Sequence, residues 1–289
     1  NSLTDLNVTG LSSLRSLYCY DNPFQSLKLP GGEELTIAVS PANSGKVMFS
    51  HDRYQSLLDD KTVTLTATPG YGYTFDSWTG GAGGSNADNS FTLSGSMSVT
   101  ANFTADPTAE YHPGDVAVIN GIIEKNGLTW TKNDPGSWNT TAVNQPYLKW
   151  TDSTPKRVKE LKIFSSGLTG TLDVTGLTSL QVLGCSSNSL TGLNVTGLSS
   201  LQSLNCDSNS LTGLDVTGLT GLQSLDCSDN ELTGLDLTGL TSLQTLNCSS
   251  SGLTGTLDVT GLTSLQYLDC SRSNLTDLNV TGLSSLRSL

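Results

Sequence analysis

Leucines recur along this chain at an almost constant step. Leu180, Leu201, Leu222, Leu243, Leu265 and Leu286 are spaced by 21, 21, 21, 22 and 21 residues. The first five each open the pattern Leu-x-x-Leu-x-Cys-x-x-(Asn/Ser)-x-Leu, and Leu286 begins the next; one copy reads Leu201, Leu204, Cys206, Asn209, Leu211. A degenerate first copy is Val158, Leu161, Ile163, Leu168, and a further copy near the other end is Leu14, Leu17, Cys19, Asn22, Phe24. One copy has a single apolar face and cannot bury it alone, so successive copies must coil and stack.

A period of 20 to 29 residues with this leucine spacing is the signature of a leucine-rich-repeat solenoid. The Leu-x-x-Leu-x-Cys stretch makes a short strand with alternate side chains inward. Leu204 and Cys206 then face the core, and Ser203 and Asn205 face solvent. The return segment supplies inward Leu214, Val216 and Leu219. Gly218 and its equivalents Gly176, Gly197, Gly239, Gly261 and Gly282 permit a tight turn there. Cys185, Cys206, Cys227, Cys248 and Cys270 hold one position in successive coils, and Cys19 fills it in the separate copy. In-register parallel strands direct these side chains the same way, which is poor geometry for a disulfide, so the expectation is a ladder of buried free thiols. Asp173, Asn194, Asp215, Asp236, Asp258 and Asn279 form a second column, on the return side. A calcium ladder is one reading. Capping of turn amides is the favoured one, because single carboxylates interspersed with Asn offer too few ligands.

Composition narrows the function. The net charge of -12 disfavours nucleic acid and anionic membranes as partners. No run approaches the ~18 apolar residues of a membrane span. His51 has no nearby Cys, His112 sits beside Pro113, and no nucleophile elbow, phosphate loop or metal motif appears. The expectation is a protein without catalysis, metal or cofactor.

Units such as LQSLDCSDNELTGLDLTGLTS resemble the cysteine-ladder repeats of the internalin J kind and of related bacterial surface proteins. The resemblance covers residues 158–289 and 1–29, and implies an extracellular, non-catalytic, adhesive protein at a bacterial cell surface. Residues 33–104 differ. Short β-branched and aromatic runs at 35–39, 47–49, 62–67, 73–78, 91–93 and 99–103 read as strands. TVTLTATPGYGYTFDSWTGG followed by SVTANF resembles the internalin B-repeat family, which implies a small all-β, β-grasp-like module. Tyr71, Tyr73, Phe75 and Trp78 there suggest either a sugar-stacking face or, preferably, a small core with two exposed aromatics. In residues 106–157, Asp115 is the expected cap of a helix with apolar Val116, Ile119, Ile122 and Ile123, stopped at Gly127. KWTDSTPKRVKELKIFSSGLTGTLDV resembles the start of a solenoid after an N-terminal cap, which would cover the apolar end of the stack. The fold class is thus α+β with a solenoid. Terminal repeat turns span 1–30, a B-repeat-like β domain 31–105, a linker and helical cap 106–157, and the solenoid 158–289.

Residues 3–17 and 275–289 are identical, LTDLNVTGLSSLRSL, at an offset of 272 residues. Both ends therefore fall inside a repeat, which reads as a segment of a tandem array or a subunit completed by neighbours. Residues 1–29 amount to less than two coils, cannot bury their own apolar face, and need another solenoid end to stack on. The expected partner is a copy of the same protein, head to tail. The assembly faces are Leu3, Leu6, Val8, Leu11, Leu14 and Leu17 at one end, and Leu278, Val280, Leu283, Leu286 and Leu289 at the other. Folding back onto the chain's own last coil is the closed alternative. On the solvent face of the strands, Gln181, Gln202, Gln223, Gln244 and Gln266 run beside polar columns. Anchors suited to a host protein or glycan are few: Arg15, Tyr18, Tyr20, Tyr267 and Arg287.

Overall fold

The computed structural model describes residues 3–81, 84–128, 130–138 and 147–289. The chain divides into two compact units, Asn1–Ala109 and Glu110–Leu289.

Unit 1 begins with two short strands, β1 (Asp5–Asn7) and β2 (Ser26–Lys28). There follow β3 (Glu34–Ser40), β4 (Gly45–Ser50), the single-turn helix α1 (Leu57–Asp60) and β5 (Thr62–Pro69). The unit ends with β6 (Tyr73–Gly80), β7 (Asp88–Thr92) and β8 (Met97–Ala105). Five of the six expected strands lie inside β3, β4, β5, β6 and β8, and the stretch 91–93 overlaps the end of β7. Burial alternates along β5 and β8, as period-two patterning demands. One sheet has the order β1-β2-β3-β8-β6 and the other β4-β5-β7. The resemblance implied a β-grasp-like fold; here the core closes between two sheets, and the helix among the described residues of this unit is the single turn α1.

The repeat-like segment and the β strands share that core. Cys19, Phe24, Leu27 and Leu29 are buried with Leu35, Phe49, Leu65 and Val99. β2 runs parallel to β1 and antiparallel to β3. On its other side the segment bridges Asn22 to Phe49, and Leu17 exchanges hydrogen bonds with Ser56 and Leu57. Residues 1–29 were expected to need another solenoid end to stack on; within them, residues 17–29 are instead covered by β3, β4 and α1, which supply both a hydrogen-bonding edge and apolar side chains.

Unit 2 opens with helix α2 (Pro113–Asn126), a short 3-10 helix (Pro135–Trp138) and β9 (Tyr147–Trp150). The coils follow: β10 (Val158–Lys162), β11 (Thr169–Asp173), β12 (Val182–Gly184), β13 (Ser189–Asn194), β14 (Ser203–Asn205) and β15 (Ser224–Asp226). The last are β16 (Thr245–Asn247), β17 (Thr254–Asp258), β18 (Tyr267–Asp269) and β19 (Asn274–Asn279). One sheet runs β9-β10-β12-β14-β15-β16-β18, parallel throughout except that β9 is antiparallel to β10. Two return segments, those of Asp215 and Asp236, lack regular strands. Two parallel pairs, β11 with β13 and β17 with β19, form where the return reads Thr-Gly-Thr-Leu-Asp, with the register shift at Gly170 and Gly255. Those glycines have φ of 65° and 70°, which a residue with a Cβ adopts only under strain.

The helix starts one turn earlier than expected. His112 is its N-cap and Pro113 its first residue, while Gly127 ends it in the left-handed region as foreseen. Asp115 therefore lies inside the first turn, where it serves a different purpose, described below.

Candidate functional site

Each interior coil is held by three devices. The first is the apolar interior: Leu204, Leu225 and Leu246 and the thiols of Cys185, Cys206, Cys227 and Cys248 are essentially inaccessible. All six cysteines are free. Burial pushes the Cys185 and Cys248 thiols up to about 12 and Cys19 to about 11, so they stay neutral and act as small apolar side chains.

The second device is an asparagine in the loop after the strand. Asn230 Nδ2 donates to the carbonyls of Cys206, Cys227 and Ser228 at 3.0, 3.2 and 3.0 Å, while its Oδ1 accepts from Leu211 N at 3.0 Å. It thereby ties two adjacent coils. Asn188 and Asn209 make the same set, and Asn22 in unit 1 makes part of it, accepting from Leu3 and donating to Cys19 and Tyr20. The residue before each is left-handed: Asp21, Ser187, Ser208 and Asp229. At the coil of β16 Ser251 substitutes and retains only a bond to Cys248 O, apart from a long contact with Ser273.

The third device is the return-side column. Asp173, Asn194, Asp215, Asp236, Asp258 and Asn279 each accept from the amide two residues on, at 2.9 to 3.2 Å. Hydrogen bonds from the Thr217, Thr238 and Thr260 hydroxyls, and then from their amides, hold the Asp215, Asp236 and Asp258 carboxyls below their ordinary value of 3.8. The column caps turns. Among the described residues no group of three or more His, Cys, Asp or Glu side chains is placed to hold a metal ion.

The start of the solenoid carries a cluster that the sequence reading missed. Asp115 is fully buried and accepts from Arg157 Nε at 3.0 Å through both oxygens, and from the Val158 amide at 2.7 Å. The guanidinium also reaches Thr178 Oγ1 at 3.0 Å and Gly176 O at 3.3 Å. One ion pair thus links α2, the first coil strand and the first return. The available signal was an acid in a helix's first turn with an Arg at the coil's start. Beside it Trp130, Trp138 and Trp150 stack in a row at 6.2 and 6.1 Å, with Tyr111 edge-on to Trp150 at 4.7 Å. The indole N–H groups of buried Trp138 and half-buried Trp150 donate to backbone carbonyls, which suits a structural stack. The aromatics of β6 behave alike: Trp78 is buried against Phe75, which packs on Phe103. Trp78 is core, Tyr73 and Phe75 are half-buried against it, and Tyr71 is half-buried outside that cluster.

The solvent face of the long sheet presents Ser203, Ser224, Thr245 and Tyr267 in one row and Asn205, Asp226, Asn247 and Asp269 in the next. Between 163 and 271 the chain has no Lys or Arg. Tyr267 is 39% exposed and bridges Ser288, and Arg287 is exposed beside it. Tyr18 and Tyr20 lie in unit 1, with the ring of His51 placed 6.4 and 5.6 Å from them, and Arg15 is exposed nearby in the chain. Of the residues expected at the assembly faces, Val8 and Leu283 are buried. Leu6, Leu14, Leu17, Leu278, Val280 and Leu286 are half-buried, and Leu3, Leu11 and Leu289 are exposed.

This architecture defines a class: a parallel-sheet solenoid of leucine-rich coils, in a chain that also carries a two-sheet β domain. Residues 200–222 and 221–243 match the leucine-rich-repeat family, and residues 35–107 match the divergent InlB B-repeat domain. In these two kinds of segment the chain is similar to internalin-like leucine-rich-repeat proteins. No curated protein matches it. Among solved structures it is similar to the functional domain of InlJ from Listeria monocytogenes, which includes a cysteine ladder, with 41% identity and a TM-score of 0.42. That match covers 45% of this chain and 29% of the other, so the chain spans less than a third of that relative. A leucine-rich-repeat protein from Leptospira interrogans, LIC12759, is 29% identical over 39% of this chain and 37% of its own, with a TM-score of 0.31. An internalin, InlF, from Listeria monocytogenes is 26% identical over 39% of this chain and 35% of its own, with a TM-score of 0.35. Among the described residues no helix is long and apolar enough to cross a membrane.

Proposed function

We propose that this is a non-enzymatic bacterial repeat protein of the cell surface, structural or adhesive, whose solenoids join head to tail. The carrying observation is the pair of identical segments, 3–17 and 275–289, which have complementary surroundings. The first has a neighbour on its following side, through β1 and β2, and the second on its preceding side, through β17 and β19. Laid over one another they describe one interior coil with neighbours on both sides. In this reading residues 106–157 cap the start of the solenoid, supported by the Asp115–Arg157 pair and the tryptophan stack. The β domain closes its far end, supported by the pairing of β2 with β3.

The test is a polypeptide in which residues 18–289 follow Leu289. Amide hydrogen exchange at 275–289 in that joint is expected to slow at least about tenfold relative to the single chain, approaching that of interior coils. Unchanged exchange across the joint would refute the head-to-tail reading. For the single chain, sedimentation should show concentration-dependent association that Leu289→Asp abolishes. A ligand-recognition module for host protein or carbohydrate is the second reading, favoured by the tyrosines that gather at the terminal coils.

A further inference from the structure

We propose that a platform on unit 1, formed by Tyr18, Tyr20, Asp21, Arg53 and Tyr54, binds an uncharged oligosaccharide. None of its geometry depends on the head-to-tail reading. Tyr18 and Tyr20 come from the terminal coil, whereas Arg53 and Tyr54 come from the loop between β4 and α1. Arg53 lies 5.3 Å over the Tyr20 ring and pairs with Asp21 at 2.6 Å. His51 holds the two segments together. Its Nε2 accepts from the Cys19 amide at 3.0 Å, so Nδ1 carries the proton and donates to Asp52 O at 2.8 Å. Asp52 in turn accepts from the Tyr54 amide at 2.8 Å, fixing the loop tip. On that tip Tyr54 is 92% exposed, and Tyr18 is 55% exposed. Large aromatic side chains so exposed on a tied-down turn contribute nothing to the core.

Chemistry selects the ligand. Tyrosine faces accept the C–H face of a pyranose. The Arg53–Asp21 pair, still 64% and 46% exposed, offers donors and acceptors to adjacent hydroxyls. A protein partner would have to desolvate that pair, which is costly, whereas sugar hydroxyls keep it hydrogen-bonded. The net charge of -12 repels sulfated or sialylated chains. The loop is already ordered, so little entropy is lost on binding. The platform is shallow, and a Kd of about 1 mM is expected, near -4 kcal/mol being what a few contacts supply.

Saturation-transfer NMR on the full chain tests this, with chitotetraose, maltotetraose and lacto-N-neotetraose as neutral probes and a heparin hexasaccharide as the anionic one. At least one neutral probe should receive saturation at its ring protons. Tyr54→Ser, which removes a side chain outside the core, and Arg53→Gln should each cut the signal at least about fivefold, and Tyr267→Ser in unit 2 should leave it unchanged. The proposal is overturned by no transfer to any neutral probe, by signals that survive both substitutions with the amide fingerprint intact, or by preference for heparin. Saturable binding of a polypeptide that buries Tyr54 without any sugar response would equally overturn it and make the patch a protein interface.

Discussion

The same fifteen residues occur twice in this molecule and meet different fates. At 3–17 and 275–289 the local bonds coincide. Thr9 and Thr281 donate to Asn7 and Asn279, both at 3.0 Å. Leu14 bonds Leu11 at 2.9 Å, and Leu286 bonds Leu283 at 3.1 Å. Gly10 and Gly282 have φ of 80° and 86°. Yet Leu11 is 52% exposed where Leu283 is 8% exposed. Turn geometry therefore belongs to the segment, whereas burial belongs to the neighbour. One copy leans on a β domain and the other on a stack of coils.

The sharpest way to break the comparison is to remove a neighbour. Phe24→Ala is expected to destabilise unit 1 by about 3–5 kcal/mol. Exchange protection at 3–17 should be lost while that at 275–289 is unaltered. If both copies responded alike, or neither did, order would not come from the neighbour. A direct test swaps the same leucine in each copy. Leu283→Ala should cost about 2–3 kcal/mol and Leu11→Ala under about 0.5, each read from local exchange. Equal costs would erase the difference.

Thiol chemistry gives a milder contrast along the stack. With Cys185 and Cys248 pushed to about 12, alkylation of the native chain at pH 8 should begin at Cys270, whose thiol is half-buried and whose value is raised less. Modification of Cys185 first would contradict the packing. The smallest effect is acid sensitivity. The Asp215, Asp236 and Asp258 carboxyls are depressed by their Thr partners, so their contribution is present above the ordinary value of 3.8 and is lost as pH falls through the lower folded values. The turns capped by Asn7 and Asn279 carry no such charge. Amide shifts of Thr217, Thr238 and Thr260 should titrate in that acid window, while those of Thr9 and Thr281 stay flat.

Some of this was readable in advance. The inward positions of the solenoid, the placement of the cysteines and the turn-capping column follow from a repeat in which each residue type recurs at one station. The strands of the β domain follow from β-branched and aromatic alternation. Asp115 was misread because an acid near a helix start fits both a cap and a first-turn charge; only the position of Arg157 distinguishes them. The cover over Phe24 and Leu27 was unreadable too, because β3 is complementary to β2 by edge and shape rather than by any motif. Likewise His51, lone in the sequence, lies beside Tyr18 and Tyr20 only once β4 folds against the terminal coil.

By itself, then, the order of residues determined the coil: a local object of period, turn and capping bonds, whose forces act within one step of the chain. Tertiary structure alone decided which coil faces are sealed, which acid is buried against which arginine, and which tyrosines share a surface. Those outcomes depend on contacts between distant segments, where shape and hydrogen-bonding edges match without leaving a pattern in either segment.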